Sequence, residues 1–135
     1  MRILTALAAA LLLCSCSTES SLFARAQEQV SKDLLDPASV QFRNVRRAPP
    51  PTRADDNPPP AVCGELNAKN RLGAYTGFRR FVAVLGEPPN SWVYDPTKAA
   101  EIDQFRADGV DENLVIQMQL GLDSGEALYR AFCER

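Results

Sequence analysis

Six of the chain's ten prolines stand between Pro49 and Pro60, in two triplets around Thr52-Arg53-Ala54-Asp55-Asp56-Asn57. No helix or central strand can run through such a segment, because each proline removes a backbone donor and fixes φ. The triplets favour extended polyproline II geometry, and the centre is polar with no apolar periodicity to bury. Residues 48–60 therefore read as an exposed loop between two strands, and the fold has to be assembled from what flanks it. A ligand for an aromatic groove is the sharper reading of this composition, and a plain linker the commoner one. With 135 residues in all, the chain supports one domain.

Upstream of the loop, Leu22, Ala26, Val30 and Leu34 recur every four residues, and Phe23 widens the stripe. This spacing predicts an amphipathic helix over Leu22 to Leu35, capped at its start by Ser20 or Ser21 and stopped by Asp36-Pro37. Asp36 can cap a short turn with Pro37 in its first position, and Val40 to Arg47 follows as a strand anchored by Val40, Phe42 and Val45. Downstream, Ala61 to Asn67, Gly77 to Leu85 and Ser91 to Tyr94 read as strands separated by turn residues, which together make an antiparallel meander. Asp95-Pro96 starts a helix over Thr97 to Ala107, with Ala99, Ile102 and Phe105 on one face and Gly109 just past its end. Leu114 to Leu122 fits both periods. Alternation at Leu114, Ile116, Met118, Leu120 and Leu122 favours a strand over the helix that Leu114, Val115, Met118 and Leu122 would make. Ser124 then caps a last helix to Glu134, with Ala127, Leu128, Ala131 and Phe132 inward. The expected class is α+β: a small antiparallel sheet of about four strands packed by an N-terminal helix and C-terminal helices.

The N-terminus is an address. Met1-Arg2 is a minimal basic segment, and Ile3 to Leu13 is an uncharged, mostly apolar run of 11 residues. That is too short for a bilayer-spanning helix, which needs about 20 residues, and has the length of a signal-peptide core. Leu13-Cys14-Ser15-Cys16 resembles a bacterial lipobox, with Leu at −3, a small residue at −2, Ser at −1 and Cys16 as the first mature residue. The resemblance implies that Cys16 carries a diacylglycerol thioether and an acylated amine, palmitate-type chains that at about 0.8 kcal/mol per buried CH₂ make a stable anchor. Ser17, rather than Asp, after the cysteine favours the outer membrane, on its periplasm-facing side. An ordinary secretory signal cut nearby is the alternative. The expected organisation is a signal peptide over 1–15, a lipidated tether over 16–21 and a single domain over 22–135.

Cys14 leaves with the signal peptide and Cys16 takes the lipid, so Cys63 and Cys133 remain as two thiols in an oxidising compartment. They are expected to form one disulfide, whose 70-residue separation would stabilise the fold by roughly 4 kcal/mol in the chain-entropy model. A metal or redox pair is the weaker reading, since no CxxC and no further soft ligand lies nearby.

Two segments also look familiar as motifs. Leu35-Asp36-Pro37-Ala38-Ser39-Val40-Gln41-Phe42 and Cys63-Gly64-Glu65-Leu66-Asn67-Ala68-Lys69-Asn70, with Gly73-Ala74-Tyr75-Thr76-Gly77 after them and a late Cys133, resemble a group of uncharacterised small exported proteins and lipoproteins of Gram-negative bacteria. The resemblance covers roughly residues 34–85, and the Pro-rich loop looks like an insertion relative to it. It implies export, a disulfide and a single α+β domain, and supplies no catalytic residue.

The chain has no histidine, which removes the Ser-His-Asp triad, the Cys-His dyad and imidazole metal ligands. It has no Walker A and no GxGxxG motif, and Asp108-Gly109 lacks the other ligands of a calcium loop. The carboxylate pairs Asp55-Asp56 and Asp111-Glu112 sit in hydrophilic stretches with nothing to raise a pKa, and Ser39 has no visible base. No enzyme activity, cofactor or metal site is expected. The net charge of −2 gives no reason to expect a nucleic-acid partner. Residues 43–80 carry +5 and residues 81–135 carry −6, so acidic helices packed beside basic strands would largely cancel their fields. The densest set of hydrogen-bonding side chains is Asn67, Lys69, Asn70 and Arg71 with Tyr75. This turn is the candidate site for a partner, a glycan or a peptide, although the same residues can simply build a turn. The expected function is a non-enzymatic envelope lipoprotein that binds another envelope component, with a periplasmic inhibitor or immunity protein as the alternative.

Overall fold

The computed structural model describes residues 16–50 and 57–134. Residues 1–15, where a signal peptide is expected, and the centre of the Pro-rich loop, including Asp55-Asp56, lie outside the described residues. Three helices and four strands follow in the order α1 (Cys16–Ser31), β1 (Gln41–Arg47), β2 (Ala61–Asn67), β3 (Arg79–Val84), β4 (Asn90–Val93), α2 (Pro96–Ala107) and α3 (Glu112–Cys133), with one 3₁₀ turn at Pro37–Ser39. The strands form a sheet in the order β1-β2-β3-β4, every neighbour antiparallel, which is the expected meander.

Helices cover both faces of this sheet. α1 lays Ala26 and Val30 on Val62, Leu66, Phe81 and Ala83, while the end of α3 packs on Cys63, Val82 and Val84 with Leu128, Tyr129 and Phe132. β2 and β3 are thus buried on both sides, which is why they read as near-continuous apolar runs rather than alternating ones. Gly64 is required by this packing: a Cβ there would lie 2.9 Å from the Phe81 ring and 3.2 Å from the Val45 backbone. Phe42 closes the same corner edge-on to Phe81, with ring centroids 5.8 Å apart. The Cys63–Cys133 disulfide joins β2 to the last turn of α3, as expected.

A bulge explains how β1 contributes both Phe42 and Val45 to the core although they are three residues apart. The β1–β2 register shifts between Arg43 and Arg46, and Asn44 takes a φ of 53°. The extra residue returns Val45 to the inner face, and the Asn44 amide donates to Glu65 at 2.7 Å.

Four expectations about the α-helices require correction. Leu114 to Leu122 is helical, the first half of the 22-residue α3. Its inward residues are Val115, Met118, Leu122, Gly125, Tyr129 and Phe132, spaced by three and four as a helix demands. The misleading alternation came from Leu114, Ile116 and Leu120, which point to solvent. Second, Ser124 caps nothing: it sits mid-helix and its hydroxyl donates to the Leu120 carbonyl at 2.6 Å, while Asp111 caps α3 by accepting from the Leu114 amide at 3.2 Å. Third, Ala127 and Ala131 are exposed, because Gly125 rather than alanine lies on the packed stripe. A Cβ on Gly125 would overlap the Trp92 indole, so the glycine lets α3 approach β4. Fourth, the chain is already helical at Cys16, the first described residue, so Ser20 and Ser21 lie within α1 and cap nothing, and α1 ends at Ser31 rather than Leu35.

Candidate functional site

The last residue of β2, Asn67, and the β2–β3 connection hold the five candidate residues, and most of their polar groups bond within the fold. Asn67 is 8% exposed, accepts from the Gly77 amide at 2.9 Å and donates to Gln41 at 3.4 Å. Asn70 accepts from the amides of Leu72 and Ala74 at 3.0 and 3.1 Å, forming the turn itself. The Tyr75 hydroxyl donates to the Ser39 carbonyl at 2.8 Å, and Lys69 lies 3.7 Å from Asp36 and 5.4 Å from the Tyr75 ring centroid. These contacts pin the loop to the 3₁₀ turn, where the Ser39 hydroxyl donates to the Asp36 carbonyl at 3.2 Å. The Asp36 side chain makes no cap. Arg71 and Leu72 form an exposed tip, Leu72 at 91%.

The two oppositely charged halves of the sequence meet in the fold. Arg80 of β3 pairs with Glu126 at 2.8 Å and with Glu134 at 3.6 Å, Arg79 with Asp95 at 3.5 Å, and Arg46 donates to the Cys133 carbonyl at 3.0 Å. Arg80 also lies over the Tyr94 and Tyr129 rings, at 5.1 and 4.9 Å. Within the strands, a hydrogen bond from Arg43 and a second from Asn44 hold the Glu65 carboxyl below the usual glutamate range, against the opposing effect of desolvation.

The site that sequence reasoning missed is a cleft of about 610 Å³ between the end of α1, β4, α2 and the middle of α3. Its walls combine apolar groups, among them Val30, Trp92, Ile102 and Met118, with Arg79, Lys98, Asp95, Asp33 and Glu101. At Asp95, desolvation opposes ionisation. The Thr97 hydroxyl and amide, with Arg79 and Lys98 nearby, outweigh it and hold the carboxyl below the usual aspartate range. The same carboxylate caps α2. Arg79 Nε is buried without a hydrogen-bond partner, although its Nη1 faces Asp95. The contributing residues come from five elements, α1, β3, β4, α2 and α3, and the segments beside them, spread over about 90 positions, and no local motif joins them. Among the described residues no group of three or more His, Cys, Asp or Glu side chains could hold a metal ion, and no helix is long and apolar enough to cross a membrane. No family model, curated protein or solved structure matches the chain.

Proposed function

We propose that the chain is a non-enzymatic lipoprotein of the bacterial envelope, held on the periplasm-facing side of the outer membrane through Cys16, and that its domain binds another envelope component. The observation that carries this reading is the lipobox-like Leu13-Cys14-Ser15-Cys16, with the described fold already helical from Cys16 onward. Six helical residues before Leu22 advance the chain by only about 9 Å, so an anchor on Cys16 would hold the domain close to the bilayer surface. The disulfide supports an oxidising compartment.

The test is fractionation and intact mass. The mature protein should carry the mass of a diacylglycerol and one further acyl chain on an N-terminal Cys16, and should incorporate labelled palmitate. Cys16→Ala should incorporate no label and leave the membrane fraction. An alanine variant that stays with membranes after a salt wash sinks the anchor reading.

A further inference from the structure

We propose that the outer edge of β4 is a peptide-binding edge, taking up one extended segment of a partner protein, about four residues long, with apolar side chains and charges of both signs, as an added strand inside the cleft. The proposal rests on the binding role above but not on the anchor.

The β3–β4 ladder fixes which groups are open. Trp92 lies opposite Val82, and the Tyr94 amide donates to the Arg80 carbonyl at 2.9 Å. Hydrogen-bonded pairs alternate in an antiparallel ladder, so Asn90 and Trp92 turn their backbone groups toward β3 while Ser91 and Val93 turn theirs outward. Among the described residues, no hydrogen bond reaches the outward amides or carbonyls of Ser91 and Val93; the Gln29 side chain stops at the Asn90 carbonyl, 2.7 Å away.

The other edge of the sheet shows what protection looks like. β1 carries Arg43, Arg46 and Arg47 and is interrupted by the bulge at Asn44, features that discourage pairing. β4 reads Asn90-Ser91-Trp92-Val93, with no charge, proline or bulge. It is recessed instead: α2 packs on α3, its backbone set back from β4, and forms the far wall of the cleft. That wall leaves no entry for the sheet of a second copy, but a single chain fits. A strand pairs about 4.8 Å from its neighbour and four residues span about 13 Å. The cleft of about 610 Å³ is within the usual 300–1,000 Å³ of ligand sites.

Side chains of the added strand would alternate between the α1 wall, at Val30 and Leu34, and the α3 wall, at Met118 and Leu122. Among the described residues Arg79 and Lys98 share the carboxylate of Asp95, so a peptide carboxylate is complementary to them. Asp33 and Glu101 make no ion pair among the described residues and favour a cation on the same peptide.

A random seven-residue phage-displayed library panned on the full mature chain in detergent supplies the probe, and the best synthetic peptide is then measured against variants. The expected peptide has apolar residues at alternate positions. Ser91→Ala, which keeps the amide, should weaken binding far less than a change that removes it. Ser91→Pro, which removes an outward amide while sparing the β3 ladder, should weaken binding about tenfold or more at an unchanged melting temperature. Hydrogen exchange on the unaltered protein decides the matter if the proline variant does not fold. Peptide should slow the Ser91 and Val93 amides about tenfold or more and leave the already paired Trp92 amide nearly unchanged. A library without binders, or binders that tolerate Ser91→Pro or leave those two amides unprotected, overturns the assignment. Either failure beside an acylated Cys16 leaves the anchor reading standing.

Discussion

The β2–β3 loop and the β4 edge differ in what they have left to offer a ligand. The loop is rich in polar side chains, yet Asn67, Asn70 and Tyr75 bond to Gly77, to Leu72 and Ala74, and to Ser39. The edge carries a short uncharged strand, yet the outward backbone groups of Ser91 and Val93 have no partner among the described residues and open on a cleft. Residue types measure hydrogen-bonding capacity; only the fold decides which part of it is already used.

The largest expected effect tests whether the cleft depends on a remote staple. α3 forms one wall, and the disulfide from Cys133 to Cys63 holds its end. Changing both cysteines to Ala should cost about 4 kcal/mol by the chain-entropy model. Chemical denaturation measures the loss, and the emission of Trp92, the only tryptophan, reports whether the α3 wall has moved. An unchanged midpoint would mean that packing alone holds α3.

Asn67→Ala tests the other side of the contrast. The side chain is buried and serves two partners, so its loss should destabilise the domain by about 2 kcal/mol, seen as a lower midpoint at unchanged m-value. A neutral substitution would mean that the loop does not need its asparagine, and would return Asn67 to the candidates for recognition.

Acid titration sharpens the comparison at the cleft. The Asp95 carboxyl lies below its usual range in the folded protein, so it binds a proton more readily in the unfolded chain. Its contribution is complete above the unfolded value, near pH 4, and disappears as pH falls through the lower folded value. Asp95→Asn should therefore flatten the fall in stability below about pH 4 while lowering stability near neutrality. Parallel acid limbs for both proteins would exclude Asp95 as a contributor.

Much of the frame was legible in the sequence. β2 was predicted to the residue, the other strands within two residues, and the disulfide from cysteine arithmetic. Strands here are short and bounded by strong turn residues, so local chemistry suffices to find them. The first half of α3 was not legible, because exposed Leu114, Ile116 and Leu120 imitate a strand and Gly125 hides a packed position. The cleft was less legible still. It is formed by residues from α1, β3, β4, α2 and α3 that no spacing in the chain relates, and its open donors are backbone groups, which every sequence has.

The smallest expected effect concerns the exposed tip of the loop. Arg71 and Leu72 lie outside the hydrogen-bonded part of the turn, apart from the Leu72 amide that Asn70 accepts, and a side-chain change leaves that amide in place. Arg71→Ala with Leu72→Ser should therefore shift stability by no more than about 0.5 kcal/mol, the usual range for surface changes. Thermal melts check this, and the library-selected peptide supplies the second readout, since nothing at the tip lines the cleft. Unchanged stability with unchanged peptide affinity would leave the contrast as drawn, with the loop a structural clasp and the edge the place of recognition. Weaker peptide binding at unchanged stability would instead make the tip part of the binding surface. Recognition would then extend beyond the cleft to the two exposed side chains of the loop that the fold has not already committed.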